Sequence, residues 1–368
     1  MLSELKTSHT GLFTPDDYDY YAILDVVGGG ADVAGLLSTR FWGSGPYYPG
    51  IGAFTREVDG CHFVDGILEG SPAERAGLKY GDEILSVDGL PYSPIAVFRG
   101  KVGTTAELAI RRTAGADPQR LDVSVVPIRP TMAFSAATEA SARVIARNGS
   151  RAGYVHIWAS SESNRFRTAL NKLEIENAFD QVGGRRDLLG NPVVIANVAP
   201  NGLKPLDFLI VDMRGRVGGN IGVAEQFLDL LHTNLQKPYW GNWHTIDRPG
   251  STARITGRNP PFRGGSALLI DRHTRSSAEI MAYGYQHSGL GTVVGTPSAG
   301  AVSSGALFVM PGDLLLYVAV SVVEFDGRRL EGVGVTPDHL EERPLPYAAG
   351  ADQVLDAAVE LLSKSSPQ

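Results

Sequence analysis

Between residues 131 and 368 the chain alternates short apolar runs with stretches of helical period, and this alternation limits the possible folds more than any other feature. LDFLIVDMR and SALLIDR carry apolar residues at successive positions, so a strand formed there must be covered on both faces. VVIANV has the same character, AEIMAYGYQ reads as a helix, and ADQVLDAAVELLSK adds an amphipathic helix near the C-terminus. Strands separated by helices return parallel to one another, which implies an α/β core with a mainly parallel sheet over residues 131–368.

Two further regions precede this core. Residues 46–130 show short strands, glycine turns and one short helix, and Pro127 and Pro130 close the unit because neither suits a central strand or a helix interior. Within it, VDGILEGSPAERAGLKYGDEILSVDG predicts a strand, then a helix capped by Ser71 with Pro72 in its first position. Gly77 ends that helix, Gly81-Asp82 turns the chain, and a strand follows at EILSVDG. Residues 1–45 read as a short helical piece, the loop GLFTPDD, and a helical stretch interrupted by Gly28-Gly29-Gly30.

Composition narrows the function classes. Hydrophobic residues at 43% against charged residues at 20% indicate a packed chain and not a disordered one. A net charge of −7 without clustered Lys and Arg argues against nucleic acid as a partner. Cys61 is the only cysteine, so no internal disulfide can form, and no apolar run reaches the roughly 18 residues of a membrane span. The opening MLSELKTSHTG has neither the basic start nor the apolar run of a signal peptide. It reads as the end of an amphipathic helix, so the expectation is a chain numbered from inside a longer protein. The compartment stays open, with a periplasmic or secreted location compatible. The histidines show no metal-ligand spacing, and neither metal nor cofactor is expected.

The segment GGSALLIDRHTRSSAEIMAYGYQ carries the chemistry. A buried strand leads through a tight connection into a helix beginning near Ser276. There the free first-turn amides and the positive dipole end suit an oxyanion. Ser276 followed by Glu279 is equally a capping box, which needs no catalysis, and the segment alone leaves both readings open.

Together with this segment, LIVDMRGRVGGN upstream and GLGTVVGTPSAGAVSSG and LEGVGVTPDHL downstream resemble the tail-specific (C-terminal processing) serine peptidases in order and spacing. Residues 64–89 likewise resemble the PDZ domains of processing proteases. The resemblance implies a crotonase/ClpP-like core with an inserted PDZ domain, Ser276 as nucleophile, and the backbone amides of Ser277 and Gly219 as oxyanion donors. In the PDZ domain it implies that the amides of Gly50-Ile51-Gly52 hold a substrate's C-terminal carboxylate, an extended peptide adding beside them as a strand. The partner so implied is a peptide or unfolded protein.

Many family members pair the serine with a lysine 25 residues on. Here Ala301 occupies that position, and no lysine stands between Ser276 and Lys364. The opening Glu4-Leu5-Lys6-Thr7-Ser8-His9 instead resembles the E-L-x-x-S-H motif of the tricorn-type catalytic core. By that resemblance His9 is the general base, Ser8 assists it, and Glu331 orients the imidazolium. Asp247 would line the pocket for the residue before the scissile bond and favour Lys or Arg there; a turn aspartate ahead of Arg248-Pro249 explains it equally. His156 is a rival base, although its apolar neighbours argue for a core strand, and His273 stands too near Ser276 in sequence to serve. The expected function is that of a serine endopeptidase, against the alternative of a non-catalytic peptide- or ligand-binding protein on the same fold.

Overall fold

The alternation that defines the core is realised residue by residue. In the computed structural model the described residues are 7–27, 31–41, 45–147, 149–160, 163–173, 206–215, 218–219, 239–245, 248–255, 264–325 and 328–364. Among them the chain forms two compact units, one of residues 1–137, 305–319 and 343–352, the other of residues 138–304, 320–342 and 353–368. The strand expected at VVIANV falls outside the described residues, as do positions 1–6.

In the second unit a six-stranded sheet runs in the order Arg143–Arg147, Ser150–His156, Phe208–Asp212, Gly265–Ile270, Thr292–Gly295, His339–Leu340. The first pair is antiparallel and the remaining four pairings are parallel. Side chains alternate across this sheet, as the period of two requires. Leu209, Val211, Leu268 and Ile270 enter one core with Phe166 of the helix Ser163–Lys172 and Met281 of the helix Ser277–His287. Their neighbours Phe208, Ile210, Ala267 and Leu269 enter a second core with Val354, Ala358 and Leu362 of the helix Gln353–Lys364. Both faces are thus covered, which explains the unbroken apolar runs. Each fully buried Leu, Ile or Val contributes about 1.5–3 kcal/mol, and truncating Leu268 to alanine would cost about 2–5 kcal/mol. A four-stranded antiparallel sheet in the order Arg248–Ile255, Tyr239–Thr245, Ser321–Phe325, Arg328–Arg329 belongs to the same unit.

The first unit contains an antiparallel sheet of Ala53–Val58, Cys61–Ile67, Glu83–Val87, Thr105–Arg111 and Gln119–Ser124, with Leu90–Pro91 pairing beside Glu83–Val87. The short helix Pro72–Arg75 forms as its sequence dictates: Ser71 Oγ accepts the Glu74 amide at 3.3 Å and Pro72 takes the first position. Val64, Leu108 and Ile110 form the core of this sheet with Ala73 and Leu78. Pro127 sits in the strand Val126–Ile128, which pairs with Tyr48–Gly50 in a two-stranded sheet, and Pro130 is the first residue of the helix Pro130–Ser141. The helices Tyr18–Val27 and Ala31–Phe41 flank Gly28-Gly29-Gly30. Gly11–Phe13, expected as loop, is a strand: it pairs antiparallel with Leu314–Ala319, which pairs in turn with Gly305–Met310. Its partner lies some 300 residues away in sequence, beyond the reach of local pattern.

Candidate active site

The loops following the parallel strands leave one edge of the sheet, the edge where open α/β sheets bind ligands. Asp271, first past Ile270, accepts the amides of Gly215 at 3.2 Å, His273 at 2.8 Å and Thr274 at 3.1 Å. The Thr274 hydroxyl donates to the Met213 carbonyl at 2.8 Å. These bonds tie the loop after Phe208–Asp212 to the turn ahead of Ser276. Burial pushes the Asp271 carboxyl above its ordinary range, against the opposing pull of His273 and the amides.

Ser276 then adopts φ 58°, ψ −129° and makes no side-chain capping bond to the helix it precedes. A non-glycine residue at positive φ costs about 1–3 kcal/mol and persists only where its surroundings hold it. Here the Ser276 amide donates to the Ala301 carbonyl at 2.7 Å, and the Glu279 and Ile280 amides donate to the Ser276 carbonyl. Of the two readings of Ser276 and Glu279, the hydroxyl therefore does not act as a cap. The Glu279 carboxylate, fully buried, accepts the Ser298 hydroxyl at 2.5 Å and the amides of Gly300 and Ala301 at 2.6 Å each. Burial raises its pKa, and these hydrogen bonds work in the opposite direction. Ala301 thus contributes main-chain groups to this arrangement.

Glu331 is buried beside the same loop, where its Oε2 accepts the amides of Val302 at 3.1 Å and Ser303 at 2.9 Å. The Gly332 amide donates to the Gly300 carbonyl and the Val335 amide to Ser298 Oγ, so LEGVGV lies along residues 298–303.

Gly218 and Gly219 reach the serine from the neighbouring strand. A Cβ built on Gly218 would stand 3.7 Å from the Cβ of Ser276. Gly219 has φ +137°, and a Cβ there would fall 2.6 Å from the Ser160 carbonyl oxygen, so only glycine fits. Ser160 forms a parallel bridge with Gly219, its amide donating to the Gly218 carbonyl at 2.8 Å. Among the described residues the amides of Gly219 and Ser277 have no acceptor. The Ser160 and Ser277 hydroxyls are buried and have no hydrogen-bond partner among those residues. Ser160 was not singled out from the sequence, because nothing in WASSE distinguishes it before the bridge is seen.

His156 is a core residue of this unit. Its Nε2 donates to the Arg214 carbonyl at 2.7 Å and its ring packs on Trp158 with centroids 4.1 Å apart. Nearby, Asp212 is clasped by the Arg214 guanidinium and the Tyr154 hydroxyl. Burial opposes ionisation of Asp212, but the Arg214 charge, with His156 and the Arg214 hydrogen bonds, holds its pKa well below the carboxylate range. His273 Nε2 accepts from the Arg272 guanidinium at 3.2 Å.

Ser8 and His9 belong to the first unit, in a turn, with Ser8 Oγ 3.3 Å from His9 Nδ1. Gly50, Ile51 and Gly52 also lie in that unit. The Ile51 carbonyl accepts the Ala73 amide and the Gly52 carbonyl the Leu68 amide, while the amides of Ile51 and Gly52 have no acceptor among the described residues. Asp247 lies outside the described residues, in the connection between Tyr239–Thr245 and Arg248–Ile255. Among the described residues no group of His, Cys, Asp and Glu is arranged to hold a metal ion, and no helix is long and apolar enough to cross a membrane.

Comparison with known proteins follows the same division. Residues 197–340 match Peptidase family S41 and residues 63–112 match the PDZ domain. A carboxyl-terminal-processing protease of Picosynechococcus is 23% identical over 318 residues, covering 81% of this chain and 66% of its own. The carboxy-terminal processing protease CtpB of Bacillus subtilis is 24% identical over 320 residues, covering 83% and 58% respectively. The chain therefore spans less than two thirds of the length of either relative. A solved structure of a putative S41 protease from Bacteroides fragilis superposes with a TM-score of 0.52 at 14% identity, over 96% of this chain and 99% of that one, a likeness of fold. Residues 197–340 are thus similar to peptidase family S41, and residues 63–112 to a PDZ domain.

Proposed function

We propose that this chain is a serine endopeptidase that cleaves peptides or unfolded proteins through an acyl-enzyme on Ser276. The observation that carries the reading is the Ser276 turn: a non-glycine residue at φ 58° whose hydroxyl does not cap its helix, beside a loop whose conformation only glycine can adopt. Strain retained at such a turn is a cost that a purely structural connection would not need.

In the proposed reaction Ser276 Oγ attacks the scissile carbonyl carbon, and the carbonyl oxygen gains charge opposite the amides of Ser277 and Gly219. His9 takes the serine proton and returns it to the leaving amine, after which water, activated by the same imidazole, releases the acyl group. A proton on Nδ1, donated to Ser8, would leave the Nε2 lone pair for this work. Glu331 is assigned the stabilisation of the imidazolium. The assignment of His9 rests on its sequence motif and its local surroundings. The finer fold reading, a crotonase/ClpP-like core over 131–368 with a PDZ domain inserted at 46–130 after an N-terminal segment 1–45, is proposed on the parallel pairings of the central sheet. In the PDZ domain the amides of Gly50-Ile51-Gly52 are proposed to receive the substrate's C-terminal carboxylate. Asp247 is proposed to select Lys or Arg before the scissile bond.

The test incubates the full chain, Ser276→Ala and His9→Ala with an unstructured protein and identifies products by mass spectrometry. Cleavage by the wild type alone supports the reading. Equal cleavage by Ser276→Ala refutes it, and peptide binding without cleavage by any of the three favours a binding protein.

A further inference from the structure

We propose that Tyr317 is the positioning residue that fixes the His9 imidazole, an inference that rests on His9 serving as the base. All of its elements lie in the first unit. Two residues past His9, the strand Gly11–Phe13 begins, and its Gly11 pairs directly with Tyr317 of Leu314–Ala319. Between them Thr10 Oγ1 accepts the Ala319 amide at 3.2 Å and lies 2.6 Å from Thr7 Oγ1. The chain directly after His9 is therefore tied to the neighbourhood of Tyr317, and the Thr7 side chain before it to Thr10. The two rings meet edge to face, with centroids 5.8 Å apart and planes at 67°.

Tyr317 is itself held. Its hydroxyl accepts the Gly305 amide at 3.0 Å, and the ring fills the space that a side chain at 305 would take. A Cβ on Gly305 would fall 2.6 Å from Tyr317 Cζ and 2.8 Å from Cε2. The ring is 6% exposed, so it has little freedom to turn away. A further contact on the imidazole, from Ser8 Oγ, spans 3.3 Å at an exposed position. An edge-to-face aromatic pair is attractive beyond the burial of its two rings. The contact thus favours one ring orientation. A base allowed to wander from its reacting geometry loses rate without losing substrate affinity.

The experiment compares Tyr317→Phe and Tyr317→Leu with wild type and His9→Ala in the full chain. Steady-state cleavage of an unstructured protein is measured alongside NMR of the His9 ring protons. Phenylalanine keeps the ring and gives up the hydroxyl that accepts the Gly305 amide; leucine keeps apolar volume and removes the ring. Expected for Tyr317→Leu is a kcat about tenfold lower, equivalent to about 1.4 kcal/mol, with KM within about twofold. The ring-current shift of the His9 protons should vanish in that variant, and Tyr317→Phe should retain both the shift and most of kcat. If Tyr317→Leu matches Tyr317→Phe in turnover and in His9 shifts while His9→Ala is inactive, the proposal alone falls. Wild-type turnover by His9→Ala overturns the base assignment, and this proposal with it.

Discussion

Replacing Glu279 with glutamine probes the loop that holds the Ser276 turn. The carboxylate accepts hydrogen bonds on Oε1 from Ser298 and Gly300 and on Oε2 from Ala301. Glutamine has one acceptor oxygen. In its best orientation that oxygen keeps Ser298 and Gly300, and the amide nitrogen then faces the Ala301 N–H, donor against donor. A buried amide without an acceptor costs about 1–3 kcal/mol. Since the Ala301 carbonyl receives the Ser276 amide at 2.7 Å, displacement of that peptide also releases the strained serine turn. The expected outcome is a thermal midpoint lower by about 2–4 °C for each kcal/mol lost, given the size of this unit. A kcat reduced at least about tenfold, with little change in KM, should accompany it. The pH dependence gives a separate check. Burial raises the Glu279 pKa in the fold above its ordinary 4.5, so the unfolded chain releases this proton first. Between 4.5 and the raised value the folded state holds more protons, and this group makes stability fall as pH rises. Glutamine should flatten that slope. Urea unfolding across pH 4–7, beside single-substrate kinetics, measures both effects. Wild-type stability and turnover in Glu279→Gln would refute the reasoning.

Gly219→Ala brings a Cβ within 2.6 Å of the Ser160 carbonyl at φ +137° and should lower kcat by about 10²–10³, the cost of losing one oxyanion donor. Gly218→Ala, where the added Cβ meets only ordinary contacts, should fold like wild type by circular dichroism; equal activity of the two variants would contradict the assignment. Asp212→Asn leaves the buried Arg214 guanidinium without its carboxylate and should destabilise by about 3–5 kcal/mol in denaturant titrations. Because the Asp212 pKa is held below its ordinary 3.8, its contribution is fully present above that pH and is lost as pH falls through the depressed value. The variant should lack this acid limb, and an unchanged limb would assign it to other groups.

Much of this architecture follows from local chemistry. The Ser71 cap, the proline after it and the strand Glu83–Val87 appear where short-range rules put them, since each depends on residues within one turn. The strands Phe208–Asp212 and Gly265–Ile270 are legible because burial on both faces leaves the runs FLIV and ALLI unbroken by polar residues. Gly11–Phe13 was not, because three residues carry no period and their partner is far along the chain. Glu279 illustrates a different limit. Three residues after a serine at a helix start, it satisfies the capping pattern, yet its carboxylate serves amides 21 and 22 residues away. Sequence spacing reports only nearby partners. Tyr317 and Ser160 acquire meaning only through contacts that tertiary structure creates.

The loop of residues 298–303 is held almost wholly through its peptide groups: the amides of Gly300, Ala301, Val302 and Ser303 are captured by two carboxylates, and the carbonyls of Gly300 and Ala301 are captured by amides. An anchorage of that kind is nearly blind to side-chain identity. Mutation can exchange the residue at 301 while the path of the chain endures, so the serine turn does not depend on which side chain stands there. A proton acceptor recruited from a distant part of the sequence could then be selected on an intact scaffold, and divergence to 23% identity need not have passed through an unfolded ancestor.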